Sequence, residues 1–162
     1  HYFVPRYTRV IDTVESRNDI NKAYSLISTS KVRNEMITND IKKCISQKQT
    51  PVILTRYKEH AKILYDMLKD EADHVFLLYG DNSDRENTEI RMQLKQVPRT
   101  ESLILIATGQ KSGEGFDFPR LDVLMLAAPV SAEGRLVQYI GRLNRDHEGK
   151  KRFMCMTILM HT

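Results

Sequence analysis

The feature that most constrains this chain is a regular alternation of short apolar runs with stretches of helical period. "PVILT" (51–55), "HVFLLYG" (74–80), "SLILIAT" (102–108), "DVLMLAA" (122–128) and "RFMCMTILM" (152–160) are near-continuous apolar runs, as expected of strands covered on both faces. Between them, "KEHAKILYDMLK" (58–69), "SDRENTEIRMQLKQV" (83–97) and "AEGRLVQYIGRLNR" (132–145) repeat their apolar residues every three or four positions, which predicts helices. Ser83 followed by Glu86 predicts a capping box at the start of the second. Upstream, residues 19–48 carry a helical pattern through Ile20, Ala23, Ile27, Met36, Ile37, Ile41 and Ile45, with a turn expected near Ser28–Ser30. "YTRVI" (7–11) is a further short strand candidate, and "PRYTRV" suits an added edge strand. Short connections between alternating elements force parallel strands joined by right-handed crossovers. The expected fold is therefore α/β, an open, mostly parallel central sheet with helices on both faces. Ligands of such sheets sit at the carboxyl ends of the strands. The loops after Thr55, Tyr79, Thr108 and Ala128 become the candidates for function.

Length and composition narrow the choice. At 162 residues the chain suits one domain, divided here into an approach segment with its first helices (1–48) and a motif-bearing core (49–162). No apolar run approaches the ~20 residues of a membrane span, so no membrane partner is expected. The opening "HYFVPRYTRV" lacks the basic-then-apolar order of a signal peptide and reads as a cut from a longer chain. Cys44 and Cys155 lie far apart without metal-ligand spacing, which points to reduced thiols in a cytoplasmic setting and to no metal site. A net charge of +4 and a pI near 9.1 suit a polyanionic partner without requiring one.

One stretch tests the limits of spelling. Asp70-Glu71-Ala72-Asp73 reads as an acidic motif that holds magnesium for ATP hydrolysis. Such a motif must leave the carboxyl end of a buried strand. Here it follows "AKILYDML", whose Ala61, Leu64, Tyr65 and Leu68 step by three and four, and it enters the next strand instead of leaving one. The expected role is a solvated helix-to-strand connection. A phosphate cradle of the form G-x-x-x-x-G-K-[ST] is also missing: "ATGQKSGEG" (107–115) has Gln110 where glycine must precede Lys111.

"QYIGRLNR" (138–145) carries more chemistry. On a helix Gln138, Arg142 and Arg145 share one face and Leu136, Ile140 and Leu143 the other. Gly141 costs a helix about 1 kcal/mol relative to alanine, a sign of close approach. Paired guanidinium groups on a rigid element suit a triphosphate. A solvated basic helix face has the same spacing, and the motif alone does not choose between them.

The surrounding blocks do choose. "QYIGRLNR" resembles motif VI (Q-x-x-G-R-x-x-R) of superfamily 2 helicases and translocases. "LILIATGQKSGEGFDFPRLDVLMLAAP" resembles their motif V, "TPVILTRYKEHAKILYDML" motif IV with its following helix, and "VFLLYGDNSDRENTEI" the segment between them. Four blocks in the right order cover residues 50–160, and their flavour is closest to the restriction-enzyme and DNA-repair branch that includes XPB-like proteins. The resemblance implies a three-layer RecA-like fold and the second lobe of a two-lobed protein, with ATP and Mg2+ bound mainly by a preceding lobe. Carried over by position, Arg145 is the arginine finger, Arg142 assists it, and Gln138 and Gly141 belong to the same coupling element. Asp117 contacts the nucleotide or couples motif V to motif VI, and Gly115 permits the tight turn before it. Thr55, Arg56, Gly80, Asp81, Thr108, Gly109 and Gln110 contact a nucleic-acid backbone, with DNA the expected polymer. In one respect the chain departs from the family: Thr108 precedes Gly115 by seven positions where six is commonest. The loop therefore carries an extra residue, and the roles of Gln110 to Glu114 stay open. The implied activity is ATP-dependent translocation by the full-length protein, with this lobe inactive alone. A RecA-like binding or regulatory module that has lost catalysis is the alternative.

Overall fold

The computed structural model describes residues 2–9, 26, 28–108, 120–127 and 154–161. Among these described residues, six strands form one sheet: β1 (Tyr2–Arg9), β2 (Pro51–Thr55), β3 (His74–Leu78), β4 (Leu103–Thr108), β5 (Val123–Leu126) and β6 (Met154–His161). Three helices described over their whole length accompany them: α1 (Lys31–Ser46), α2 (Lys58–Leu68) and α3 (Asp84–Gln96). The strand order is β1-β6-β5-β2-β4-β3, and every pairing is parallel. The expected α/β architecture is observed. The first strand does lie at a sheet edge, but it begins at Tyr2 and ends at Arg9 instead of spanning 7–11. Its β propensity is spread over "YFVPRYTR", and its parallel partner β6 supplies the register along the full length. Ser30 is the N-cap of α1, which matches the turn expected at Ser28–Ser30.

β4 shows how one sequence serves two layers. Successive side chains of a strand point to opposite faces. Leu103, Leu105 and Ala107 join Val52, Leu124 and Leu126 in the core beneath α3, with Leu78 and Leu94. Ile104 and Ile106 join Ile53 and Met125 on the other face, where Ile37 and Ile41 of α1 and Ala61, Leu64 and Leu68 of α2 cover them. Every residue of β4 is buried, so its apolar run has no polar alternation to show. The chain runs from β2 outward through α2 to β3, returns through α3 to β4, and then crosses to β5 and β6 on the other side of β2. The two helices lie on opposite faces because the crossovers run in opposite directions with one handedness.

The amino-terminal edge of the sheet is closed by polar bonds. Arg120 donates to the carbonyls of Val97, Pro98 and Glu101 and to Thr50 Oγ1, tying the α3–β4 connection to β2. Asp122 Oδ2 accepts the Thr50 N–H at 3.0 Å. The Asp70–Asp73 letters lie at this same edge. α2 ends at Leu68 and β3 starts at His74. Asp73 Oδ2 accepts from the Ser102 amide and hydroxyl at 2.8 and 3.0 Å, which draws its pKa below the usual carboxylate value. Glu71 pairs with Lys42 at 3.4 Å. These carboxylates brace the connection into β3, opposite the edge where a parallel sheet binds ligands.

Candidate functional site

At the carboxyl edge, the ends of β2 and β4 stand side by side, with Thr55 and Thr108 as register partners. β3 ends next to them, since Leu78 pairs with Ala107. β5 flanks β2 from the other side, with Leu126 opposite Leu54. All three helices run back across the sheet, so their amino termini face this edge, where unpaired N–H groups favour anions.

The two threonines are 7% and 4% exposed respectively, but their hydroxyls are engaged differently. Thr108 Oγ1 accepts the Gly80 N–H at 3.3 Å and keeps its own proton to donate. Thr55 Oγ1 lies 2.6 Å from Nδ1 of His60 on α2. Nε2 of that imidazole lies 2.8 Å from Asn34 Oδ1 on α1, and the Asn34 amide nitrogen donates to the Ser28 carbonyl at 2.8 Å. An oxygen opposite Nε2 makes that nitrogen the donor. Neutral imidazole then offers Nδ1 as an acceptor, and the Thr55 hydroxyl donates to it. His60 is fully buried. Desolvation, with the Arg33 guanidinium second, lowers its pKa to about 4, so it is neutral at ordinary pH.

Arg33 precedes Asn34 in the first turn of α1 and is also fully buried. Its Nε and Nη2 donate to the Ala127 carbonyl just beyond β5, at 3.3 and 2.9 Å. Burial lowers its pKa to about 10, and it remains a cation. Two successive residues of α1 thus hold two strand ends, β5 directly and β2 through His60.

The remaining edge residues are more open. Arg56 is exposed, with its guanidinium carbon 5.8 Å from the centre of the Tyr57 ring. Asp81 is exposed and paired with Lys58. The Lys58 hydrogen bond is the main cause of its lowered pKa. Lys58 also sits over the Tyr79 ring at 5.3 Å, which makes it a cation of the loop after β3. Of the residues named from sequence, the structure brings Thr55, Thr108, Gly80 and Asp81 to this edge, with Arg56 one step beyond Thr55. Gly109, Gln110, Gly115, Asp117, Gln138, Gly141, Arg142 and Arg145 lie outside the described residues. Among the described residues, no group of three or more His, Cys, Asp or Glu side chains could hold a metal ion, and no helix is long and apolar enough to cross a membrane.

Arg33, Asn34, His60 and Lys58 were not singled out by the motifs. Periodicity does carry a trace of two of them. His60 falls on the stripe of Ala61, Leu64 and Leu68, and Asn34 on that of Ile37 and Ile41. A polar residue on a core stripe needs a buried partner. The partner's identity is not visible until the helices are packed.

Comparison with known proteins places this geometry in a family. A family model described as the helicase conserved C-terminal domain matches residues 30–147. The chain is 28% identical over 124 residues to the transcript termination protein A18 of Yaba-like disease virus, covering 74% of this chain and 25% of that protein. It is 23% identical over 161 residues to the A18 protein of Myxoma virus (strain Lausanne), covering 94% of this chain and 33% of that one. The chain thus spans a quarter to a third of the length of these curated relatives. Among solved structures, T4 UvsW superposes with a TM-score of 0.74 at 21% identity, over 98% of this chain and 32% of that one. Domain 2 of the DEAD-box helicase Mss116p, solved bound to an RNA duplex, gives a TM-score of 0.60 at 15% identity, over 98% of this chain and 54% of that one.

Proposed function

Because the chain belongs to the helicase conserved C-terminal domain family, as a second RecA-like lobe of superfamily 2, we propose that it serves an ATP-dependent nucleic-acid translocase. ATP sits in a cleft between this lobe and a preceding one. The observation that carries the reading is the family match over 30–147, which takes in both the threonine-bearing strand ends and "QYIGRLNR". In this reading Arg145 is the arginine finger, Arg142 assists it, and Gln138, Asp117, Gly115 and Gly141 couple nucleotide state to the lobe interface. Mg2+ is held mainly by the partner lobe, where it neutralises phosphate charge. The chain's own part is to bring guanidinium groups to the charge that develops in the transition state.

The carboxyl edge is one half of a backbone track. Hydroxyls and helix-terminal amides hold phosphates without reading sequence, as stepwise movement along a strand requires. ATP-driven closure of the lobes shifts these contacts along the strand, and we take DNA as the polymer. The test is Arg145→Ala in the full-length protein. Turnover of ATP falls by about a thousandfold or more, while oligonucleotide binding is retained. Unchanged turnover removes the finger from this chain. Stimulation of the same ATPase by single- and double-stranded DNA and RNA decides the polymer, and a stronger response to RNA overturns the choice of DNA.

A further inference from the structure

We propose that His60 is a positioning residue of the carboxyl edge. From behind the strand end it holds the Thr55 hydroxyl proton inward, so that donation to a phosphate oxygen at this register falls to Thr108. The inference deepens the reading of this edge as a nucleic-acid track, and its phosphate clause rests on that reading.

The geometry is a chain of three bonds with one consistent direction. Asn34 Nδ2 donates to the Ser28 carbonyl, which leaves Oδ1 facing His60 Nε2 at 2.8 Å. Two acceptors cannot share a hydrogen bond, so Nε2 carries the proton and Nδ1 accepts from Thr55 at 2.6 Å. Thr55 then presents only lone pairs to anything arriving at the edge. A phosphate oxygen is itself an acceptor and gains nothing from them. Thr108 is its register partner and is oriented the opposite way. It accepts from the Gly80 N–H, and its proton is free for a phosphate. Two threonines that look equivalent in sequence therefore do different work. The charged group that faces His60 is Arg33 on α1, and it opposes protonation of the ring. Thr55 on β2 and Asn34 on α1 are uncharged. Burial acts in the same direction, so the ring keeps this role through the physiological range.

The experiment uses the full-length protein with 15N-labelled histidine. Long-range nitrogen–proton correlations at pH 7, with His60 assigned from the spectrum of a His60 substitution, are expected to show the neutral Nε2–H tautomer. An Nδ1–H tautomer or an imidazolium overturns the proposal. Because the tautomer is read on the unsubstituted protein, it decides even where a substitution fails to fold. Two substitutions then separate positioning from packing. The amide oxygen of His60→Asn stands where Nδ1 stood and still takes the Thr55 proton. His60→Gln reaches Asn34 instead and releases Thr55. The freed hydroxyl then has a proton to offer a phosphate oxygen, which accepts it beside the one from Thr108. Oligonucleotide affinity is expected to be about tenfold higher in His60→Gln than in His60→Asn, the worth of one charge-assisted hydrogen bond. Equal affinities, or the reverse order, mean a packing role only and overturn the proposal. Thr108→Val, expected to weaken binding about tenfold, tests the track itself. If it is silent while the tautomer is as expected and the His60 order holds, the phosphate contact of Thr108 fails and the relay stands.

Discussion

His60 links chemistry to stability most directly. Its folded pKa, about 4, lies below the ordinary 6.5. As pH falls below 6.5, the unfolded chain takes up a proton that the folded chain refuses. Stability is therefore full above pH 6.5, declines as pH falls toward 4, and levels off below it. Linkage sets the loss at up to about 3 kcal/mol. Urea unfolding of the full-length protein between pH 4 and 7.5 checks this, and His60→Asn should flatten that part of the profile. Asp70 and Asp73 carry the opposite expectation for function. Both lie in the connection at the amino edge of β3, where Asp73 holds Ser102, so Asp70→Asn and Asp73→Asn in the full-length protein should leave ATP turnover unchanged. A large loss in an ATPase assay would return these letters to catalysis. The Cys44 thiol is pushed up to about 11, mainly by burial with Asp40 adding to it. It stays a protonated core group, and thiol-modifying reagents should leave it unlabelled in the folded protein.

Among the helices, α3 has the clearest start signal. Ser83 Oγ accepts the Glu86 N–H at 3.3 Å, and the Glu86 carboxylate accepts the Ser83 N–H at 2.8 Å. This is the reciprocal box that Ser-x-x-Glu announces. Ser83→Ala should cost about 1 kcal/mol, read as a lower unfolding midpoint without a change in nucleic-acid binding. α2 was legible for a different reason. Its core stripe of Ala61, Leu64 and Leu68 repeats at helical spacing, and all three are fully buried. Leu64→Ala removes a side chain from the layer shared by α1, α2 and β4 and should destabilise by 2–5 kcal/mol, on the order of other core truncations. β4 gave no periodic signal, because a central strand buried on both faces is apolar throughout. Its short, near-continuous apolar run marked it as a strand covered on both faces.

The assembled sheet draws its consequences from order more than from composition. β2 lies in the middle, next to β4 and β5, so residues far apart in sequence meet at its carboxyl end. Thr55, His60, Asn34 and Thr108 come from β2, α2, α1 and β4, and Arg33 reaches beyond them to the end of β5. α1 should therefore act as a strut that holds the ends of β2 and β5 together. Arg33→Met leaves the Ala127 carbonyl without these donors, the kind of loss that costs about 1–3 kcal/mol. Hydrogen exchange of the full-length protein should show faster exchange at the end of β5 than at β3. Uniform exchange across the sheet would mean that α1 is no strut.

The amino-acid sequence by itself determined the alternating elements, the parallel sheet, the family and which edge of the sheet is the candidate site. The elements, the sheet and its carboxyl edge follow from local periodicity, short connections and the handedness of crossovers, and the family follows from the resemblance of its motif blocks. It also dismissed the acidic letters at 70–73, since the direction of entry into a strand is a local fact. Tertiary structure alone decided which polar groups share hydrogens. Thr55 and Thr108 have the same side chain at the same strand end, and nothing in their neighbouring letters distinguishes them. The difference comes from Asn34, 26 residues before His60. It fixes the imidazole tautomer, and through it the direction of one hydroxyl proton. A hydrogen bond has a sign that depends on both partners, and these partners meet only once α1 and α2 are packed on the sheet.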